Sequence, residues 1–200
     1  FDGAKAEPYI EEDTPNPLNV YGASKLEGER AIRASGARHW ILRTSWVYAP
    51  RGRNFLLTVL RLAREGKPLR VVADQFGAPT SAAMLACATA QALATQAQAL
   101  AVPDRKDAQP LSGTYHVTAA GRTSWHGFAD AILREFGCND PVAAIAAVEY
   151  PTPAKRPANS ILDCGKLAAR FGIRMPSWEA GLNEAVAELK NPERRTPAAQ

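Results

Sequence analysis

Tyr21 and Lys25 are the residues of this 200-residue chain whose types and spacing best fit chemistry. They stand four apart in Tyr21-Gly22-Ala23-Ser24-Lys25, and residues four apart share one face of a helix, so the phenol and the ammonium can converge on one spot. A free phenol, with a pKa of roughly 10, is a poor acid or base at neutral pH. A fixed positive charge beside it favours the phenolate and brings such a group toward working range. The pairing suits proton transfer to a carbonyl oxygen. Any helix can also carry Tyr and Lys at this spacing by chance, and the pentapeptide alone does not separate the two readings.

The elements that must position this pair follow from the apolar pattern. The first twenty residues read as loop-like, with Pro8, Pro15 and Pro17 and the acidic run Glu11-Glu12-Asp13. From about Leu18 a helical period runs through Tyr21, Leu26 and Ala31 to Ile32, with Gly36 as its stop. His39 to Val47 reads as one buried strand. A helix over 54–64 follows, ended by Gly66 and Pro68, then a strand over 69–73. Pro79 fits the first turn of a helix that continues to about Ala99. Residues 101–112 read as surface loop, 113–118 as strand, and Thr123 or Ser124 as the cap of a helix through Phe128, Ile132 and Phe136. Residues 142–150 are ambiguous, 151–157 form a Pro-rich loop, and short helices near 163–171 and 178–189 close the pattern. This alternation predicts an α/β layer with a largely parallel sheet.

Composition narrows the function classes. Apolar residues make up 46% of the chain, enough to bury a real core. The net charge of +4 is spread among interspersed signs, and the concentrated basic stretch is the tail around Arg194 and Arg195, so no nucleic-acid footprint is read. Cys87, Cys138 and Cys164 are far apart and lack metal-ligand spacing, which argues against a disulfide framework or a zinc site and fits a reducing cytoplasm. The most apolar stretch, 84–100, is Ala-rich and broken by Thr and Gln, so it reads as a buried helix and no membrane span is expected. No G-x-G-x-x-G loop opens a helix anywhere, so a dinucleotide phosphate site is expected upstream of Phe1-Asp2-Gly3.

Four blocks then carry a resemblance. Phe1-Asp2-Gly3 through Pro17-Leu18-Asn19-Val20-Tyr21-Gly22 and Lys25-Leu26-Glu27-Gly28-Glu29 form the first. Arg43-Thr44-Ser45-Trp46-Val47-Tyr48, Asp74-Gln75-Phe76-Gly77-Ala78-Pro79-Thr80 and Arg156-Pro157-Ala158-Asn159-Ser160 complete the set. Together they resemble the extended short-chain dehydrogenase/reductases, and within them most nearly the dTDP-4-dehydrorhamnose reductase family, over essentially the whole chain. The resemblance implies the C-terminal part of a Rossmann-like doubly wound parallel sheet plus a small α/β substrate-binding domain. Residues 1–75 would belong to the NAD(P)-binding unit, with 101–125 returning to it; 76–100 and 126–190 would form mainly the substrate-binding unit, and 191–200 a tail.

The implied reaction passes hydride from NADPH or NADH to the C4 ketone of dTDP-4-dehydrorhamnose. Tyr21 would protonate the nascent alkoxide, while Lys25 would hold the nicotinamide ribose and tune the phenol. Thr44 and Ser45 would approach the nicotinamide. Trp46, Asn54, Gln75, Pro79, Thr80 and Arg156 would face the sugar nucleotide. Plainer readings stand beside these: core packing for Trp46, a helix cap for Asn54, ordinary turn chemistry for 74–80, and a solvated surface arginine for Arg156. His116 and His126 read as structural. Some members of the family bind magnesium at a dimer contact through an acidic residue after the Gly-Ala-Pro-Thr block. Ser81-Ala82-Ala83 stands there in this chain, so no metal is expected, and a homodimer of the complete protein stays open.

The alternatives are epimerisation, dehydration or reduction of a related nucleotide sugar, and a non-catalytic regulatory relative, against which the retention of both Tyr21 and Lys25 speaks. The fragment alone is expected neither to bind NADPH nor to reduce substrate.

Overall fold

The computed structural model describes residues 1–101, 111–138 and 141–191. Helix α1 (Val20–Ala34) starts at Asn19, whose extended backbone lets its Oδ1 accept from the Gly22 N–H at 2.8 Å. It ends where Gly36 takes a left-handed φ of 68°, the stop read from sequence. Strand β1 (Trp40–Arg43) follows and pairs in parallel with β6 (Gly113–His116), Arg43 lying opposite His116.

The single strand expected over 39–47 is in fact two. Trp46 sits at φ 51°, a left-handed conformation that a bulky residue adopts at a cost of about 1–2 kcal/mol and that no ladder can pass through. Chain direction changes there, and β2 (Val47–Tyr48) pairs elsewhere, in parallel with β5 (Thr80–Ser81). The helix expected from Pro79 is likewise displaced. Because Thr80 and Ser81 are taken by that ladder, α3 (Ala82–Ala101) begins at Ala82, with the Ser81 hydroxyl accepting from the Met84 N–H.

Helix α2 (Phe55–Arg64) precedes β3 (Leu69–Val72), which pairs in parallel with β8 (Val142–Ile145). Thus the ambiguous 142–150 stretch resolves into β8 and a 3₁₀ turn, Ala147–Glu149. Strand β4 (Phe76–Gly77) runs antiparallel to β7 (Thr123–Ser124). Ser124, not Thr123, then caps α4 (Trp125–Glu135), its hydroxyl accepting from Gly127 N–H at 3.0 Å. Helices α5 (Gly165–Phe171) and α6 (Trp178–Lys190) follow. Three of these four strand pairs are parallel, which gives the α/β layer its expected character.

Two buried clusters hold the layers. Leu56, Val59 and Leu60 of α2 meet Phe128, Ile132 and Leu133 of α4 and Leu182 of α6 around Tyr48. On the other side, Ala88 and Ala92 of α3 pack with Tyr115, Val117, Leu167 and Phe171. Helix α3 bridges the two, since its Met84 belongs to the first cluster. Each fully buried Leu, Ile or Phe contributes about 1.5–3 kcal/mol. No described helix is long and apolar enough to cross a membrane.

Candidate active site

The break after β1 is what opens the site. Thr44 and Ser45 leave the ladder at the strand's carboxyl end, the edge where ligands bind in open α/β sheets. They line an open cavity of about 710 Å³ together with Tyr21 and Lys25 of α1 and Asn159 and Ser160 of the loop before α5. Tyr21 is 72% exposed, so its phenol is accessible from that cavity. The Lys25 ammonium lies 5.2 Å from the Tyr21 ring centroid, which shows the two side chains on one helical face as their spacing requires. Ser45 Oγ donates to the Ser160 carbonyl at 3.4 Å, tying one wall of the cavity to the next.

One turn beyond Lys25 stands Glu29, which by spacing could pair with that lysine. Instead Arg43 of β1 grips the Glu29 carboxylate with Nε and Nη2, each at 2.7 Å, and Arg33 adds a contact at 2.9 Å while also donating to Thr114 Oγ1. Both members of the Arg43–Glu29 pair are largely buried, with side chains 13% and 14% exposed. Burial alone would push the Glu29 carboxyl up, but the two guanidinium groups outweigh it and hold the carboxyl below the usual range. Lys25 has no carboxylate partner among the described residues, and its ammonium stands beside the Tyr21 ring. No role was read for Glu29 or Arg43 from sequence; the legible signal was the four-residue interval repeated from Tyr21 through Lys25 to Glu29.

The residues expected on the sugar-nucleotide side are placed less uniformly. Trp46 is held between two neighbours: its ring stacks on Trp125 at 3.6 Å and 8°, and a Cβ on Gly77 would fall 2.5 Å from its Cε2. Trp46 is therefore packed closely against both neighbours. Asn54 caps α2 through Oδ1 to Leu57 N–H, while its Nδ2 donates to the carbonyls of Ala49 and Arg51. Pro79 and Thr80 are buried; Thr80 Oγ1 donates to the Ala78 carbonyl and accepts from Ala119 N–H, both at 3.0 Å. Gln75 is half-buried, and Arg156 is exposed, one residue before the cavity-lining Pro157. None of these six lines the cavity that holds Tyr21 and Lys25.

Residues for which no role was read from sequence organise the far wall. Asn159, 8% exposed, donates to the carbonyls of Lys5 and Glu7 at 2.8 and 3.1 Å and accepts from Ile161 N–H. Gly3, at φ 76°, packs so closely on Pro157 and Ala158 that a Cβ would lie 2.5 Å from the Pro157 side chain. The three consecutive acids diverge, as expected for loop carboxylates: Glu11 accepts from His116 N–H, Glu12 from Lys166 and Asp13 from Lys5. His116 is fully buried against the Tyr9 carbonyl, and burial, partly opposed by Glu11, pushes its pKa down. His126 bonds the Val142 carbonyl at 2.9 Å. Both histidines act as ties within the fold.

Comparison with known proteins places this arrangement. The model of the RmlD substrate binding domain matches residues 1–191. The chain is 48% identical over 197 residues to a dTDP-4-dehydrorhamnose reductase of Burkholderia thailandensis, covering 94% of this chain and 64% of the relative. Against the enzyme of that name from Escherichia coli K12 it is 43% identical over 195 residues, covering 94% and 62%. Among solved structures, a dTDP-4-dehydrorhamnose reductase from Bacillus anthracis in complex with NADP superposes with a TM-score of 0.84 at 36% identity, covering 94% of this chain and 62% of that one. The chain thus spans less than two thirds of the length of these relatives. With a matching model across nearly its whole length, the chain belongs to the RmlD substrate binding domain family.

Proposed function

We propose that the complete protein reduces the C4 ketone of dTDP-4-dehydro-6-deoxy-L-mannose (dTDP-4-dehydrorhamnose) to dTDP-L-rhamnose, with NADPH or NADH as reductant and Tyr21 as proton donor. The observation that carries this reading is the shared face of Tyr21 and Lys25, opening on one cavity with Thr44 and Ser45. The relatives that bear this enzyme's name support the substrate, and the NADP-bound relative supports the cofactor.

The donor set fits the nicotinamide-ribose end of such a cofactor. An ammonium without a carboxylate partner among the described residues and two hydroxyl side chains at the carboxyl edge of β1 are suited to vicinal ribose hydroxyls and a carboxamide. Lys25 would hold the ribose, and Thr44 and Ser45 would flank the nicotinamide. When bound, the cofactor supplies hydride to C4. The phenol of Tyr21 donates its proton to the oxygen of the former ketone as negative charge develops there, and the Lys25 ammonium stabilises the phenolate left behind. Arg156, one residue before the cavity-lining Pro157, would offer its guanidinium to the diphosphate oxygens, and Trp46 with Gln75 would border the sugar side. Residues 1–75 joined by 101–125 would form the cofactor side; 102–110 lie outside the described residues, and the pairing of β6 with β1 supports the grouping for the rest. Residues 76–100 and 126–190 build mainly the substrate side, with α3 reaching across both clusters.

The test is an assay of the complete protein with dTDP-4-dehydrorhamnose and NADPH or NADH, following loss of nicotinamide absorbance. Oxidation of the cofactor with formation of dTDP-rhamnose is expected. Interconversion of UDP-hexoses without net cofactor oxidation would replace this reading with epimerisation, and inertness toward both would point to a non-catalytic relative.

A further inference from the structure

We infer that Asn19 is a positioning residue that latches the rim loop carrying Arg156 onto the helix carrying Tyr21 and Lys25. This rests on the function proposed above. The two ends of one amide do separate work. Its oxygen accepts from Gly22 N–H at 2.8 Å and caps α1, while its Nδ2 donates to the Lys155 carbonyl at 2.9 Å, across 136 positions of sequence.

What makes this contact matter is the poverty of other anchors. From Ala158 to Ser160 the loop is pinned by the Phe76 backbone, by Asn159 and by Ser45. Between Pro151 and Arg156, Thr152 bonds only Ala154 inside the segment, and among the described residues Asn19 supplies the hydrogen bond that reaches it from elsewhere. Pro157, just beyond Arg156, lines the same cavity as Asn19 and Tyr21. The latch therefore holds the backbone that carries Arg156 to the start of α1. A cap residue that served the helix alone would need only its acceptor, which Ser, Thr or Asp supplies equally well. Asparagine adds the donor that the carbonyl requires.

Three substitutions in the complete protein separate the two roles. Asn19→Ser and Asn19→Asp keep an acceptor for the cap and lose the donor; Asn19→Ala loses both. With dTDP-4-dehydrorhamnose, the Ser and Asp variants are expected to raise KM for the sugar nucleotide roughly threefold to tenfold, the scale of one net hydrogen bond. Saturated kcat and NADPH dissociation should stay within about twofold of the parent, and only Asn19→Ala should also lower the midpoint of thermal unfolding. An unchanged sugar-nucleotide KM in both cap-preserving variants, or a parallel loss of NADPH affinity, would overturn the inference. Amide hydrogen exchange of residues 151–156 without ligand gives a second readout that needs no turnover. Faster exchange in Asn19→Ser supports the latch, and unaltered exchange rejects it. If the parent protein fails to reduce this sugar nucleotide, the functional reading falls while the exchange result still decides the latch.

Discussion

Arg43 on β1 and Glu29 on α1 are joined by two parallel 2.7 Å hydrogen bonds, and this fork fixes the helix that bears Tyr21 and Lys25 against the strand that bears Thr44 and Ser45. Helix α1 has no buried residue of its own, so the ionic fork does positioning that apolar packing performs for α2 and α4. Because both side chains are largely shielded from water, removing one partner leaves the other charge poorly compensated. Glu29→Gln, which keeps one acceptor for the guanidinium, is expected to lower unfolding free energy by about 1–3 kcal/mol in denaturant titration. The folded-state pKa of Glu29 lies below its ordinary value of 4.5, so its contribution is fully present above that value and is lost as pH falls through the folded value. The stability gap between parent and Glu29→Gln should hold constant from pH 7 to 5 and narrow only below about 4.5. A gap that widens on acidification would contradict the fork.

Gly77 presents a bare Cα to the Trp46 indole. In Gly77→Ala the new methyl would meet Cε2 at 2.5 Å, and neither backbone nor the stacked Trp125 can retreat cheaply. The expected cost is about 1–3 kcal/mol, with loss of the near-ultraviolet circular dichroism of the Trp46–Trp125 stack. Retention of both stability and that signal would show that Trp46 is free to move.

Thr80 separates a supporting role from a binding one. Thr80→Val preserves shape but strands the buried Ala119 N–H, at a cost of about 1–3 kcal/mol. Sugar-nucleotide KM in the complete protein should remain unchanged. A raised KM without destabilisation would put Thr80 at the substrate after all.

Much of this was readable from residues alone, and the exceptions share a cause. Tyr21 and Lys25 were legible because helix geometry is local, and so were the Gly36 stop and the Asn54 and Ser124 caps. The break at Trp46 was not, since nothing in an apolar run from His39 to Val47 announces a left-handed residue. It depends on Gly77, thirty-one positions away, leaving room for the indole. Likewise the start of α3 at Ala82 reflects a ladder between β5 and β2 that local propensity cannot foresee. Thr80 and Asn54 were identifiable as important residues, but only hydrogen-bond partners show that their polar character supports the fold around the cavity.

Lys25 lacks a carboxylate partner among the described residues because Arg43 and Arg33 occupy Glu29. Lys25→Met in the complete protein is expected to weaken NADPH binding by about tenfold to a hundredfold, the scale of charged hydrogen bonds lost, and to lower kcat as well. Fluorescence titration with NADPH checks the first effect. Unaltered cofactor affinity would remove the lysine from the ribose.

The most direct measurement is single-turnover reduction of dTDP-4-dehydrorhamnose by the Tyr21→Phe variant of the complete protein. Loss of the phenolic proton should slow the chemical step by about 10² to 10⁴, with dissociation constants for sugar nucleotide and NADPH left near those of the parent. A rate equal to the parent's would contradict the assignment of Tyr21 as the acid.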